Sequence, residues 1–133
     1  MLTEKRIVIT GAGSGIGRAT SILAAGYGAK VVCVDLNESV SSTVDEIKQN
    51  GGTATAVHAD VSDEAAVAEF INQCVAQHGG IDGIYANAGV SGGGKSLTEL
   101  TVEDWQRTLA VNTVGVFLAI KHSVPYFVSQ GQG

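Results

Sequence analysis

Short apolar runs alternate with amphipathic stretches along the chain, and glycine marks most of the changes. Ile7 to Thr10 is a β-rich run closed by Gly11, which predicts a short buried strand. From Gly15 to Ala25, Ile16, Ala19, Ile22 and Leu23 recur at helical spacing, and Gly26 and Gly28 end the segment. Lys30 to Asp35 is apolar at successive positions (Val31, Val32, Cys33, Val34), as expected of a parallel strand covered on both faces. A helix is expected from Asn37 or Glu38 to about Asn50, stopped by Gly51-Gly52, and then a third strand over Thr53 to His58. Ser62 is the expected cap of the next helix, with Asp63 and Glu64 in its first turn, where the helix dipole favours anions. That helix runs to about His78 and ends at Gly79-Gly80, and a fourth strand lies within Ile81 to Asn87. Ala88 to Lys95 reads as a glycine-rich loop. A short helix around Val102 to Asp104 leads into a long one, from Trp105 to about Ser129, which Pro125 should kink or shorten.

This β-α-β-α order implies a parallel sheet with right-handed crossovers and helices on both faces. Composition agrees: 44% hydrophobic residues can form a core, and 16% charged residues are too few for a disordered chain. The net charge of −5 and the scattering of the eight basic residues argue against nucleic-acid binding. No run is long enough for a signal peptide or a membrane span, so a soluble cytoplasmic protein is expected. Cys33 and Cys74 show no metal spacing and read as reduced structural thiols, and His58, His78 and His122 fit no metal site. Tyr85, on the fourth strand, is expected in the core.

The turn Thr10-Gly11-Ala12-Gly13-Ser14-Gly15-Ile16-Gly17 follows the first strand and opens the first helix. A helix N-terminus presents unpaired N–H groups and partial positive charge, so it holds an anion, and glycines let the backbone approach phosphate. The spacing is G-x-x-x-G-x-G rather than G-x-G-x-x-G, and no Gly-Lys-Ser/Thr follows, so the turn is not a P-loop. A tight strand-to-helix turn without a ligand is the competing reading. Asp35 strengthens the first, because an acid ending the second strand can accept hydrogen bonds from adenosine ribose hydroxyls and repels a 2′-phosphate. Ala12, Ser14 and Leu36 supply no cation for that phosphate, so NAD is favoured over NADP.

With these residues in place the chain resembles the short-chain dehydrogenase/reductase family along nearly its whole length. Thr10, Gly11, Gly15, Ile16 and Gly17 match the family's cofactor turn, which Ser14 completes, and Asp35 matches its NAD-selecting acid. Asp60-Val61 matches the pair bordering the adenine pocket, the alternative being that Asp60 simply caps a turn. Asn87-Ala88-Gly89 matches the end of the family's Asn-Asn-Ala-Gly, with Ala86 in place of the first asparagine. Asn112 matches the asparagine that helps hold a proton-relay water, the alternative being a polar side chain satisfied by backbone.

The resemblance implies a Rossmann-like doubly wound sheet with strands in the order 3-2-1-4. It also implies hydride transfer between a secondary alcohol or ketone and nicotinamide. The family's chemistry further requires a serine and a Tyr-x-x-x-Lys pair. The residues four after Tyr27, Tyr85 and Tyr126 are Val31, Gly89 and Gln130, so the pair is absent. The expectation is therefore the N-terminal part of a single dinucleotide-binding domain, inactive alone. Its apolar fourth strand should drive self-association or pairing with a missing C-terminal half. A non-catalytic nucleotide-binding module, or an inert folding unit, is the alternative.

Overall fold

The apolar run of β2 (Lys30–Asp35) needs cover on both faces, and this requirement organises the molecule. In the computed structural model, which describes residues 1–133, β2 lies between β1 (Arg6–Thr10) and β3 (Thr53–His58). On its other side β1 pairs with β4 (Gly83–Tyr85). Every pairing is parallel, and the β1–β2 register runs from Arg6 opposite Lys30 to Thr10 opposite Val34. The order is β3-β2-β1-β4, the Rossmann-like arrangement expected.

Alternation along the strands divides the core in two. Ile9, Val31 and Cys33 pack with Ala24 and Ala25 of α1 (Gly15–Gly26) and with Val40, Val44 and Ile47 of α2 (Ser39–Gln49). Val8, Val32 and Val34 pack on the opposite face with Val67, Phe70 and Ile71 of α3 (Glu64–His78) and with Leu118 farther along. No helix is long and apolar enough to cross a membrane.

Several details differ from expectation. Asp63, not Ser62, caps α3, accepting from the Ala65 and Ala66 amides at 2.9 and 3.1 Å. Ser62 instead donates its hydroxyl to Asp60 at 2.7 Å, and a carboxylate is the stronger acceptor for the helix end. The last helical segment is one run in three parts. α4 (Val102–Leu109) starts at a capping box made by Thr101 and Asp104, passes into a π-helical turn (Ala110–Val114), and continues as α5 (Gly115–Gln130). Pro125 does not shorten α5. It and Lys121, whose carbonyl loses its N–H partner, are both exposed, so water can serve that carbonyl. Tyr85 is 41% exposed rather than in the core, because β4 is an edge strand paired only with β1.

Polar ties fix the elements in place. Glu64 on α3 accepts from Lys121 Nζ at 2.6 Å and lies 3.0 Å from His122 Nε2, both on α5. Burial pushes the Cys33 and Cys74 thiols up to about 11, which makes them unreactive. At the start of the sheet the Arg6 amide, Nε and Nη2 all donate to Asp82 at 2.7–2.9 Å, and Nη1 donates to the Gly79 carbonyl at 2.8 Å.

That clamp orders the approach to β4 and generates a prediction. Arg6, by side-chain and backbone hydrogen bonds, holds Asp82 at about 2. Because the folded value lies below the ordinary aspartate value, the stabilisation is complete above about pH 4 and lost as pH falls toward 2. Asp82→Asn leaves Arg6 without its counter-ion and should cost about 3 kcal/mol near neutral pH. The variant should also lose less stability than the parent between pH 4 and 2. Urea unfolding at several pH values checks both, and parallel acid limbs would contradict the assignment.

Candidate cofactor site

At the carboxyl ends of the strands the chain leaves a cavity of about 630 Å³, a size suited to a nucleotide. It opens where β1 and β4 separate, the switch point of the strand order. The β1–α1 turn forms one side. Gly11 adopts φ +68°, and a Cβ there would lie 2.9 Å from Asn87 Nδ2. A Cβ on Gly17 would run into the Gly11 carbonyl oxygen, so α1 can pack this close to β1 only with glycine at that position. Gly15, at φ +51°, has open space where its Cβ would be. Ser14 sits at the N-cap of α1 but makes no side-chain capping bond, and no acid occupies the first turn. The first amides of α1 therefore remain available beside the cavity, whereas Asp63 and Thr101 close the ends of α3 and α4. Such an end fits a pyrophosphate.

Asp35 stands at the end of β2. Its Oδ2 accepts from the Gly13 amide at 2.8 Å, and its Oδ1 accepts from the Asn37 amide at 2.9 Å and from Asn37 Nδ2 at 3.2 Å. These three bonds leave roughly one of a carboxylate's four acceptor positions free. Beyond it lie Ile16 and Leu36, which are apolar yet 69% and 55% exposed and line the cavity. Asp60 Oδ1 accepts from the amide and hydroxyl of Ser62, so it does cap a turn, while Oδ2 has no protein partner. Asp60 and Val61 both line the cavity.

The β4 end is tied to β1 through Thr10. Its hydroxyl oxygen accepts from the Asn87 and Ala88 amides, each at 3.0 Å, and Asn87 Nδ2 donates to the Thr10 carbonyl at 3.1 Å. Asn87, Ala88 and Gly89 thus reach the cavity wall. Asn112 lies in the π-helical turn, and its side chain is satisfied by backbone: Oδ1 accepts from the Val90 amide at 2.8 Å and Nδ2 donates to the Val90 carbonyl at 2.9 Å. The glycine-rich loop is also held by Lys95, which bonds Asp104 at 2.7 Å.

The sequence profile described as short chain dehydrogenase matches residues 5–133. The chain belongs to that family. It is 41% identical over 131 residues to the uncharacterized oxidoreductase YxbG of Bacillus subtilis, covering 98% of this chain and 48% of that protein. It is 34% identical over 130 residues to the 2,5-dichloro-2,5-cyclohexadiene-1,4-diol dehydrogenase of Sphingobium indicum, covering 98% and 51%. Among solved structures, an NAD+-bound xylitol dehydrogenase superposes with a TM-score of 0.93 at 28% identity, over 99% of this chain and 51% of that one. A metagenomic short-chain oxidoreductase in complex with NADP superposes at 0.92 and 30% identity, over 98% and 60%. The chain spans about half the length of the curated relatives it matches.

Some residues at this short-chain dehydrogenase site have roles that the motif spacing does not indicate. Gly13 was only a filler in the motif, yet its amide anchors Asp35. Thr10 began the motif, but nothing in the spacing foretold that its hydroxyl would join two strands. Arg107 and Ser62, which also line the cavity, fall in no motif. Thr10 is 3% exposed, so its loss strands buried amides. Thr10→Val should cost about 1–3 kcal/mol in urea unfolding, whereas Thr10→Ser should be near neutral. Equal stability of the valine and serine variants would show that the hydroxyl does not carry the tie.

Proposed function

We propose that this chain is the cofactor-binding, N-terminal part of an NAD-dependent short-chain dehydrogenase. The intact enzyme moves a hydride between a secondary alcohol or ketone and nicotinamide. The observation that carries the NAD assignment is Asp35, anchored at the cavity with one acceptor position left for a ribose hydroxyl. It shares strand parity with Val31 and Cys33, which pack with α1 and α2. The single cationic side chain lining the cavity, Arg107, belongs to the helical run that packs on the opposite face through Leu118, so it stands across the crevice from Asp35. A 2′-phosphate would meet the carboxylate without a neighbouring cation.

In this reading the first turn of α1, with Gly11, Ser14, Gly15, Ile16 and Gly17, receives the pyrophosphate. Asp35 receives the adenosine ribose. Asp60, Val61, Asn87, Ala88 and Gly89 line the adenine side and the strand end. The bound nicotinamide would supply the hydride acceptor or donor. Asn112 positions the loop at Val90 beside it and is the one member of the catalytic set in these residues. A tyrosine near its ordinary value is a poor base at neutral pH without an adjacent cation, and no tyrosine here is followed four residues later by lysine.

Assembly is part of the proposal. Val102, Trp105, Leu109, Val114, Phe117, Ile120, Val124 and Val128 are 42–75% exposed along α4 and α5, an apolar stripe that self-association would cover.

Four outcomes are expected of the purified 133-residue chain and its Asp35→Asn variant. ADP-ribose should bind within about a few-fold of NAD by calorimetry, since the residues present contact the adenosine diphosphate portion. Asp35→Asn should weaken both by about tenfold or more. Alcohol-dependent reduction of NAD should be undetectable, and turnover by material of confirmed mass would overturn the assignment of the chemistry to residues outside this set. In sedimentation at micromolar concentration the chain should associate, and a monodisperse monomer would refute the assembly.

A further inference from the structure

Arg107 is the only one of the three arginines with no carboxylate partner and no side-chain hydrogen bond. Arg6 is held by Asp82 and Arg18 by Glu46. Arg107 is exposed and lines the cavity, so its planar five-donor guanidinium is open to whatever enters there. Arg107 also sits on a defined wall. Arg107 and Val111 both line the cavity, and farther along the same run Gly115 abuts Val61. A Cβ on Gly115 would come within 3.0 Å of Val61 Cγ2, so the helical run passes close beside Val61, which also lines the cavity. Leu36, apolar and half exposed, lines the same cavity.

Building on the nucleotide reading above, we infer that Arg107 is the lid of the adenine subsite, its planar guanidinium laid against the base opposite Leu36. A flat purine suits the space between an aliphatic wall and a guanidinium plane, because Arg stacks on π-systems and is weakly hydrated. The placement separates two tasks. Asp35 on one wall selects the ribose hydroxyls, and Arg107 on the other grips the base that every adenine nucleotide shares. Arg107 is a binding residue in this assignment and takes no part in hydride or proton transfer.

Calorimetric titration of the full chain with AMP, ADP-ribose and NAD tests the assignment. Arg107→Ala should weaken all three by the same factor, about fivefold, as expected of a contact to the shared adenosine. The thermal midpoint should be unchanged, since Arg107 holds no other part of the protein. Arg107→Lys should not restore affinity, because an ammonium lacks the planar face, and the difference should persist at about 1 M salt, where charge steering is screened. If the parent binds all three ligands and Arg107→Ala binds them equally well, the inference is wrong and the nucleotide reading stands. Restoration by lysine, or loss of the difference in salt, would reduce Arg107 to a point charge and overturn the lid. If the parent binds none of the three, the nucleotide reading itself fails and takes this one with it.

Discussion

The cavity exists because β1 and β4 are held together at the place where their following chains part. A single hydroxyl does much of this. Thr10 Oγ1 takes two amides from the start of the β4 loop, and the Asn87 side chain returns a bond to the Thr10 carbonyl. From that crosslink one chain turns into α1 on one face, and the other proceeds by way of the glycine-rich loop to the helices of the opposite face. The crevice between them is the switch point of a doubly wound sheet, where the crossovers leave no element to fill the space. Gly11 and Gly17 continue the same constraint, since α1 starts beside β1 only if neither carries a side chain.

Within this frame, the groups proposed to bind the cofactor also make structural bonds. Asp60 caps the turn before α3 with one carboxylate oxygen and leaves the other free. Asp35 ties the glycine turn to β2 through Gly13 and retains acceptor capacity at the cavity. Asn112 is satisfied by Val90 and by that bond fixes the loop. A capping bond in this fold does not preclude the proposed binding role. A carboxylate has about four acceptor positions and a turn uses only some of them.

The strands and the first three helices were legible because burial on two faces enforces a clear pattern. β2 and β3 have the predicted bounds, and α1 begins at the predicted Gly15. What was not legible depended on competition between neighbours. Ser62 and Asp63 are both good caps, and Asp60 settles the matter by taking Ser62. Tyr85 has the composition of a core residue, but its exposure depends on what flanks β4, which no local pattern encodes. Gly13 and Thr10 act through partners distant in sequence, so their roles appear only when the sheet brings those partners together. The turn itself stands out by its context between β1 and α1, not by its glycine count.

The π-helical turn joins the last two features. Along α4 and α5 the exposed apolar residues step by three or four except from Leu109 to Val114, a step of five that falls across Ala110–Val114. In an uninterrupted α-helix a step of five would swing the stripe off its face. The wider turn absorbs the extra residue, so the apolar residues before and after it can share one side of the run. Asn112 lies within that wider turn, and its amide meets both backbone groups of Val90. A local departure from α geometry therefore serves two demands at once: it aims a polar side chain at the loop and keeps the outward apolar face continuous. A substitution that regularised the turn would have to give up one of them, which is a physical reason for this run to contain a π-helical turn at all.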